Sequence, residues 1–135
     1  MAKLSTEIAL TLPNRPGELA ALGRALSKAD VNIAAISSFA SGRSGTIRLL
    51  FADRDATAAR RALKAAGYRV NKSGVRKVVT VSGADKPGTL ARLAGRLSKA
   101  GLNIDSAYVA GQTRRRTILA FGVGKNAAKA KRALR

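Results

Sequence analysis

The stretch Asn14-Arg15-Pro16-Gly17-Glu18-Leu19 returns 71 residues later as Asp85-Lys86-Pro87-Gly88-Thr89-Leu90. A leucine-spaced run follows each: Leu19, Leu22 and Leu26, then Leu90, Leu93 and Leu97. Both runs close alike, on Ser27-Lys28-Ala29 before Asn32-Ile33 and on Ser98-Lys99-Ala100 before Asn103-Ile104. A repeat this long makes the chain a duplication, and one copy's fold must be the other's. The 135 residues therefore divide into units 1–71 and 72–135. A domain of roughly 60 residues buries only about 60% of the surface its unfolded chain exposes. The halves are expected to share an interface, or the chain to form a homodimer.

Within the first copy, Leu4, Ile8, Leu10 and Leu12 mark a half-buried strand that Pro13 ends, with Thr6 a polar interruption. Arg15, preceding a proline, is pushed from helical angles, which makes Pro16 the expected first helical residue. Leu19, Leu22, Leu26 and Ala29 then form one apolar stripe. Val31 to Ala40 and Thr46 to Ala52 read as two strands of a hairpin turning at residues 41–45. A second helix runs to Ala66 and stops at Gly67. Tyr68-Arg69-Val70 reads as a short fourth strand.

The second copy repeats this order but ends on its second helix, Asn126 to Leu134. The fold class predicted is α+β: two ferredoxin-like βαββαβ units in tandem, antiparallel sheets with helices on one face, the second unit lacking its last strand. That leaves Val75 to Gly83 with an open edge, and folded proteins cover such edges. Tyr68-Arg69-Val70, turning back across Asn71-Lys72-Ser73-Gly74, is the expected cover, shared between both units.

Composition removes several function classes. There is no cysteine and no histidine, hence no disulfide, no thiol or imidazole metal site and no ordinary general base near neutral pH. The seven carboxylates are scattered, the serines have no base beside them, and the glycines form no Walker-type loop. The chain reads as a non-enzyme with no catalytic residue, metal or cofactor. No signal-peptide core and no membrane-spanning run occurs, so a cytoplasmic protein with no membrane partner is expected.

Charge is the outlying feature. Lys and Arg total 26 against 7 acids, a net of +19. Residues 1–71 carry 11 basic and 5 acidic side chains, residues 72–135 carry 15 and 2. Such an excess bears on partners rather than fold.

A strand, Asn/Asp-x-Pro-Gly-x-Leu, a leucine-striped helix and Asn-Ile opening the next strand together resemble the ACT domain, a small regulatory module that binds amino acids. Nearly the whole chain takes part, twice, and it is similar in plan to the glycine cleavage repressor family. It departs from that plan in its basic charge and its missing last strand. The resemblance implies amide contacts to an amino acid or similar small ligand from Gly17, Glu18 and Leu19, and from Gly88, Thr89 and Leu90. It places Asn32-Ile33 and Asn103-Ile104 on an opposing wall.

The physics of the loop points the same way. A helix N-terminus presents free amides and partial positive charge that suit a carboxylate. Asn14 or Asp85 offers an acceptor to an α-ammonium group, although the Asp85 carboxylate also competes for the anion position. An anion at a helix N-terminus gains at most about 2 kcal/mol, while millimolar binding needs about 4 kcal/mol. A second wall is required, supplied by another unit.

The alternative is a basic nucleic-acid module, since RNA-recognition domains share the βαββαβ order. They stack bases on exposed strand aromatics, and the corresponding strands here offer only Phe51 and Phe121. Arg114-Arg115-Arg116 and the basic tail suit an anionic protein, or weak, non-specific nucleic-acid binding through phosphates.

Overall fold

The computed structural model describes residues 1–135. They form two compact units, Thr6–Arg76 and a second made of Met1–Ser5 with Lys77–Arg135.

The first unit holds most of β1 (Ala2–Pro13), then α1 (Glu18–Lys28), β2 (Ala35–Ser41), β3 (Ser44–Phe51) and α2 (Asp53–Ala65). Strand β3 lies between β2 and β1 and is antiparallel to both, with Leu10 opposite Ile47 and Ile36 opposite Leu49. Alternate residues Ile8, Leu10 and Leu12 of β1 join Ile47, Leu49 and Phe51 of β3 in the core. Leu22, Leu26, Ala59 and Leu63 of the two helices close it. The polar interruption at Thr6 is resolved by a hydrogen bond from its hydroxyl to Asp53 Oδ1, 2.9 Å, in the first turn of α2.

Glu7 sits on the other face of β1 and is fully buried. Its Oε1 accepts hydrogen bonds from Arg48 Nη1 at 3.1 Å and Arg76 Nε at 3.0 Å. A buried carboxylate needs such partners to offset its lost hydration.

The second unit repeats the plan with β4 (Val75–Ala84), α3 (Thr89–Lys99), β5 (Ser106–Gln112), β6 (Arg116–Gly122) and α4 (Ala127–Ala133). Its β6 lies between β4 and β5, antiparallel to both, with a register shift between Val109 and Gly111. Val79, Val81, Leu93, Leu97, Leu119, Phe121, Ala130 and Leu134 form its core. No helix in the chain is long and apolar enough to cross a membrane.

The antiparallel, helix-backed tandem plan is as the sequence predicts, but the fourth strand is not. Tyr68–Val70 is coil, its outer residues packed against the first core. The four residues between Gly67 and a 3-10 turn at Lys72–Gly74 build no ladder. Gly74 lies so near β1 that an added Cβ would stand 2.7 Å from the Ala9 carbonyl oxygen. The edge of β4 is covered instead by the start of β1, its neighbour in the sheet. Ala2 is buried in the second core, and the Lys3 carbonyl accepts from Thr80 Oγ1 at 3.4 Å. The strand that serves both units is β1.

Helix α1 ends in a Schellman motif, with Asp30 N bonded to Ser27 O and Val31 N to Leu26 O. Asp30 accordingly has φ 58°, the only non-glycine residue with positive φ. Its counterpart after α3 is Gly101, φ 77°. Asp30→Gly should therefore stabilise the first unit by about 1 kcal/mol, since a side chain in this region costs that order. Urea titration checks the sign, and an unchanged or lower midpoint contradicts it.

Candidate functional site

Pro16 is not the first residue of α1. Arg15-Pro16-Gly17-Glu18 forms a turn with Gly17 at φ 89°, ψ −14°, and Lys86-Pro87-Gly88-Thr89 forms its twin with Gly88 at φ 94°, ψ −15°. Proline followed by glycine at positive φ is the signature of a type II turn. That preference outweighs proline's fitness for a first helical position. The glycines are therefore required by backbone conformation, since an added Cβ at either meets nothing within 4 Å. A bulky, β-branched residue such as Val at Gly17 would strain the turn, so it is no silent steric block.

Neither helix start receives a side-chain cap. Ala21 N bonds Gly17 O at 3.0 Å, while the amides of Leu19 and Ala20 take no partner within the chain. Asn14 is occupied elsewhere: its Nδ2 donates to Gly42 O at 2.9 Å and its backbone amide to Arg43 O. These bonds tie the loop to the β2–β3 turn. Glu18 forms an ion pair with Arg15.

Between the loop and the hairpin lies a cleft of about 150 Å³. Asn14, Arg15, Glu18 and Leu19 line one side, and Ser38, Phe39, Ala40 and Thr46 the other. Leu19 is 51% and Phe39 77% exposed. The hairpin wall is what sequence reasoning missed. Its signal was Phe39, a large apolar residue in a strand of mostly small ones, whose counterpart in the second copy is Ala110.

The second loop closes on itself. Thr89, counterpart of Glu18, is buried and donates from Oγ1 to Ala84 O at 2.6 Å. Gly83 leaves it room, since a Cβ there would stand 2.7 Å from Thr89 Cγ2. Asp85 Oδ2 accepts from Gln112 Nε2 at 2.8 Å. Its backbone amide bonds Arg115 O, so the Arg114–Arg116 run adjoins this loop, with Arg116 directed onto Ser82 Oγ. Leu90 remains exposed.

Asn32 and Ile33 stand at the opposite end of α1, lining a separate groove with Gly23, Ser27 and Asp30. Eleven helical residues span about 16 Å. A unit therefore does not bring its own Asn-Ile turn to its own Pro-Gly loop. Asn103 is exposed, and Ile104 packs on the second core.

Phe51 and Phe121 are both fully buried in the cores, so neither offers the stacking surface of an RNA-recognition sheet.

The family model of the ACT domain matches residues 6–67 and again 77–135. No curated protein matches the sequence. Among solved structures, a Bacteroides thetaiotaomicron protein is 25% identical, with a TM-score of 0.83, over 98% of this chain and 88% of its own. The regulatory subunit of aspartate kinase from Thermus thermophilus is 20% identical, TM-score 0.72, covering 98% and 93%. That from Thermus flavus is 19% identical, TM-score 0.67, covering 98% and 94%.

Proposed function

Since the chain belongs to the ACT domain family, twice over, we propose that it is a regulatory protein that senses an amino acid or similar small ligand at the first Pro-Gly loop. The observation that carries this reading is the uncapped start of α1, with two unpartnered amides, bordering a cleft whose counterpart positions in the second copy hold the inward-turned Thr89 and Ala110 in place of Phe39. The ligand carboxylate takes the amides of Leu19 and Ala20, and Asn14 keeps its Oδ1 for the ammonium group. Leu19 and Phe39 flank the side chain. An Asn-Ile turn from another unit supplies the remaining wall, because the energy of one helix N-terminus falls short of millimolar binding. The role is regulatory rather than catalytic, and a cytoplasmic homodimer is the working form.

A thermal-shift screen of the twenty amino acids tests this. A ligand at 100 times its dissociation constant stabilises by about 2.7 kcal/mol, which raises the melting point of a small domain by roughly 10 °C. At least one amino acid should give such a shift. Ala40→Leu, which fills the cleft from β2, should weaken that ligand at least tenfold and leave the unliganded melting point unchanged. A screen without a shift, or an Ala40→Leu protein that binds normally, contradicts the proposal.

A further inference from the structure

The two copies share their cores and differ on their solvent faces. Helix α3 keeps the leucines of α1 but carries Arg92 and Arg96 where α1 has Ala21 and Ala25. Helix α4 corresponds to α2, yet Asp53 and Asp55, which open α2, are replaced by Gly124 and Asn126. The second unit carries 14 basic and 2 acidic side chains, and both acids are engaged, Asp85 by Gln112 and Asp105 by the amide of Gly124.

Arg92, Arg96 and Lys99 recur at helical spacing beside the buried stripe of α3. Lys129, Arg132 and Arg135 belong to the α4 end of the same unit, and all six are exposed. The Arg96 guanidinium donates to Arg135 O at 3.3 Å, which joins the two rows into one surface. None of the six pairs with an aspartate or glutamate side chain. Unneutralised like charge at this density opposes folding through self-repulsion, and a polyanion relieves it.

We propose that the α3–α4 face of the second unit binds the phosphate backbone of double-stranded DNA without reading its sequence. The face has rows of cations and no large apolar side chain among them. A protein interface needs buried aromatic or aliphatic anchors, and an interfacial membrane helix needs apolar residues to insert. Single strands are gripped by stacking aromatics, and duplex RNA by contacts to 2′-hydroxyls. A surface built from guanidinium and ammonium groups matches the regular phosphates of a DNA duplex by charge alone.

Fluorescence anisotropy with a labelled 25-bp DNA duplex tests the assignment on the full chain at several salt concentrations. Six phosphate contacts predict a slope of log K against log salt of about −5, independent of sequence. Arg92→Gln, Arg96→Gln, Lys129→Gln and Arg132→Gln together should flatten it to about −2 and weaken binding at least tenfold at 100 mM salt. Arg24→Gln, Lys28→Gln, Arg61→Gln and Lys64→Gln remove the same charge from the first unit and should have the smaller effect. Equal losses from both sets would mean that net charge, not this face, binds. Absence of binding at 50 mM salt overturns the proposal. So does tenfold tighter binding of duplex RNA, polyglutamate or phosphatidylserine vesicles, or a preference for one DNA sequence.

Discussion

Deleting residues 1–5 unfolds the second half of the chain and spares the first. Those residues belong to the second unit, where Ala2 is part of the core and the start of β1 covers the edge of β4. Each ladder hydrogen bond contributes about 0.5–1.5 kcal/mol net, so losing several costs roughly 2–5 kcal/mol. A core of this size supplies only about 3–5 kcal/mol in all. The deletion thus removes most of the unit's margin, and it also exposes the valine-rich edge of β4 to aggregation. Amide exchange resolved by residue should lose protection at 78–81 and 118–123 while 47–51 stays protected. Lys3→Pro, which keeps the residues and adds a ladder-breaking ring, should act in the same direction. Unchanged protection in the second half would remove β1 from its role there.

The second large effect is expected at Glu7. Glu7→Ala leaves Arg48 and Arg76 facing each other without their shared carboxylate. Breaking a buried ion pair from one side costs about 3–5 kcal/mol. Their side chains are 36% and 23% exposed, so water recovers part of that, and about 3 kcal/mol is the expected loss. Replacing all three together, Glu7→Met with Arg48→Met and Arg76→Leu, should restore much of it, because apolar packing then takes the place of the desolvated charges. Urea unfolding followed through first-unit probes reads both values. A single substitution costing under about 1 kcal/mol would mean that the cluster holds nothing together.

The sequence carried the duplication, most of the helix and strand order and the bulk of both cores, because leucine spacing and strand alternation report burial, although Leu19 and Leu90, which open the two leucine runs, are exposed. It did not carry the partner of β4. Residues 2–5 meet that strand across more than 70 intervening positions, a pairing that no local pattern encodes. Tyr68-Arg69-Val70 has strand chemistry, but the 3-10 turn at Lys72–Gly74 and the close approach of Gly74 to Ala9 leave it no ladder. Nor did the sequence carry the burial of Glu7, since alternation reports one face and says nothing of two arginines arriving on the other. At the two loops, Pro16-Gly17 and Pro87-Gly88 specify a turn rather than a helix start, and the free amides follow from that turn. The closure of the second loop rests on Thr89 turning inward over Gly83, a tertiary fit invisible in the motif.

The proposed small ligand binds at the start of α1 and not at its twin. A ¹⁵N-resolved NMR titration with the amino acid that gives the largest thermal shift measures this directly. The largest shifts should fall on the amides of Leu19 and Ala20 and on Ser38 to Ala40, with a second group at Asn32 or Asn103 and little change at Leu90 and Ala91. Equal shifts at both loops, or none at either, would contradict it.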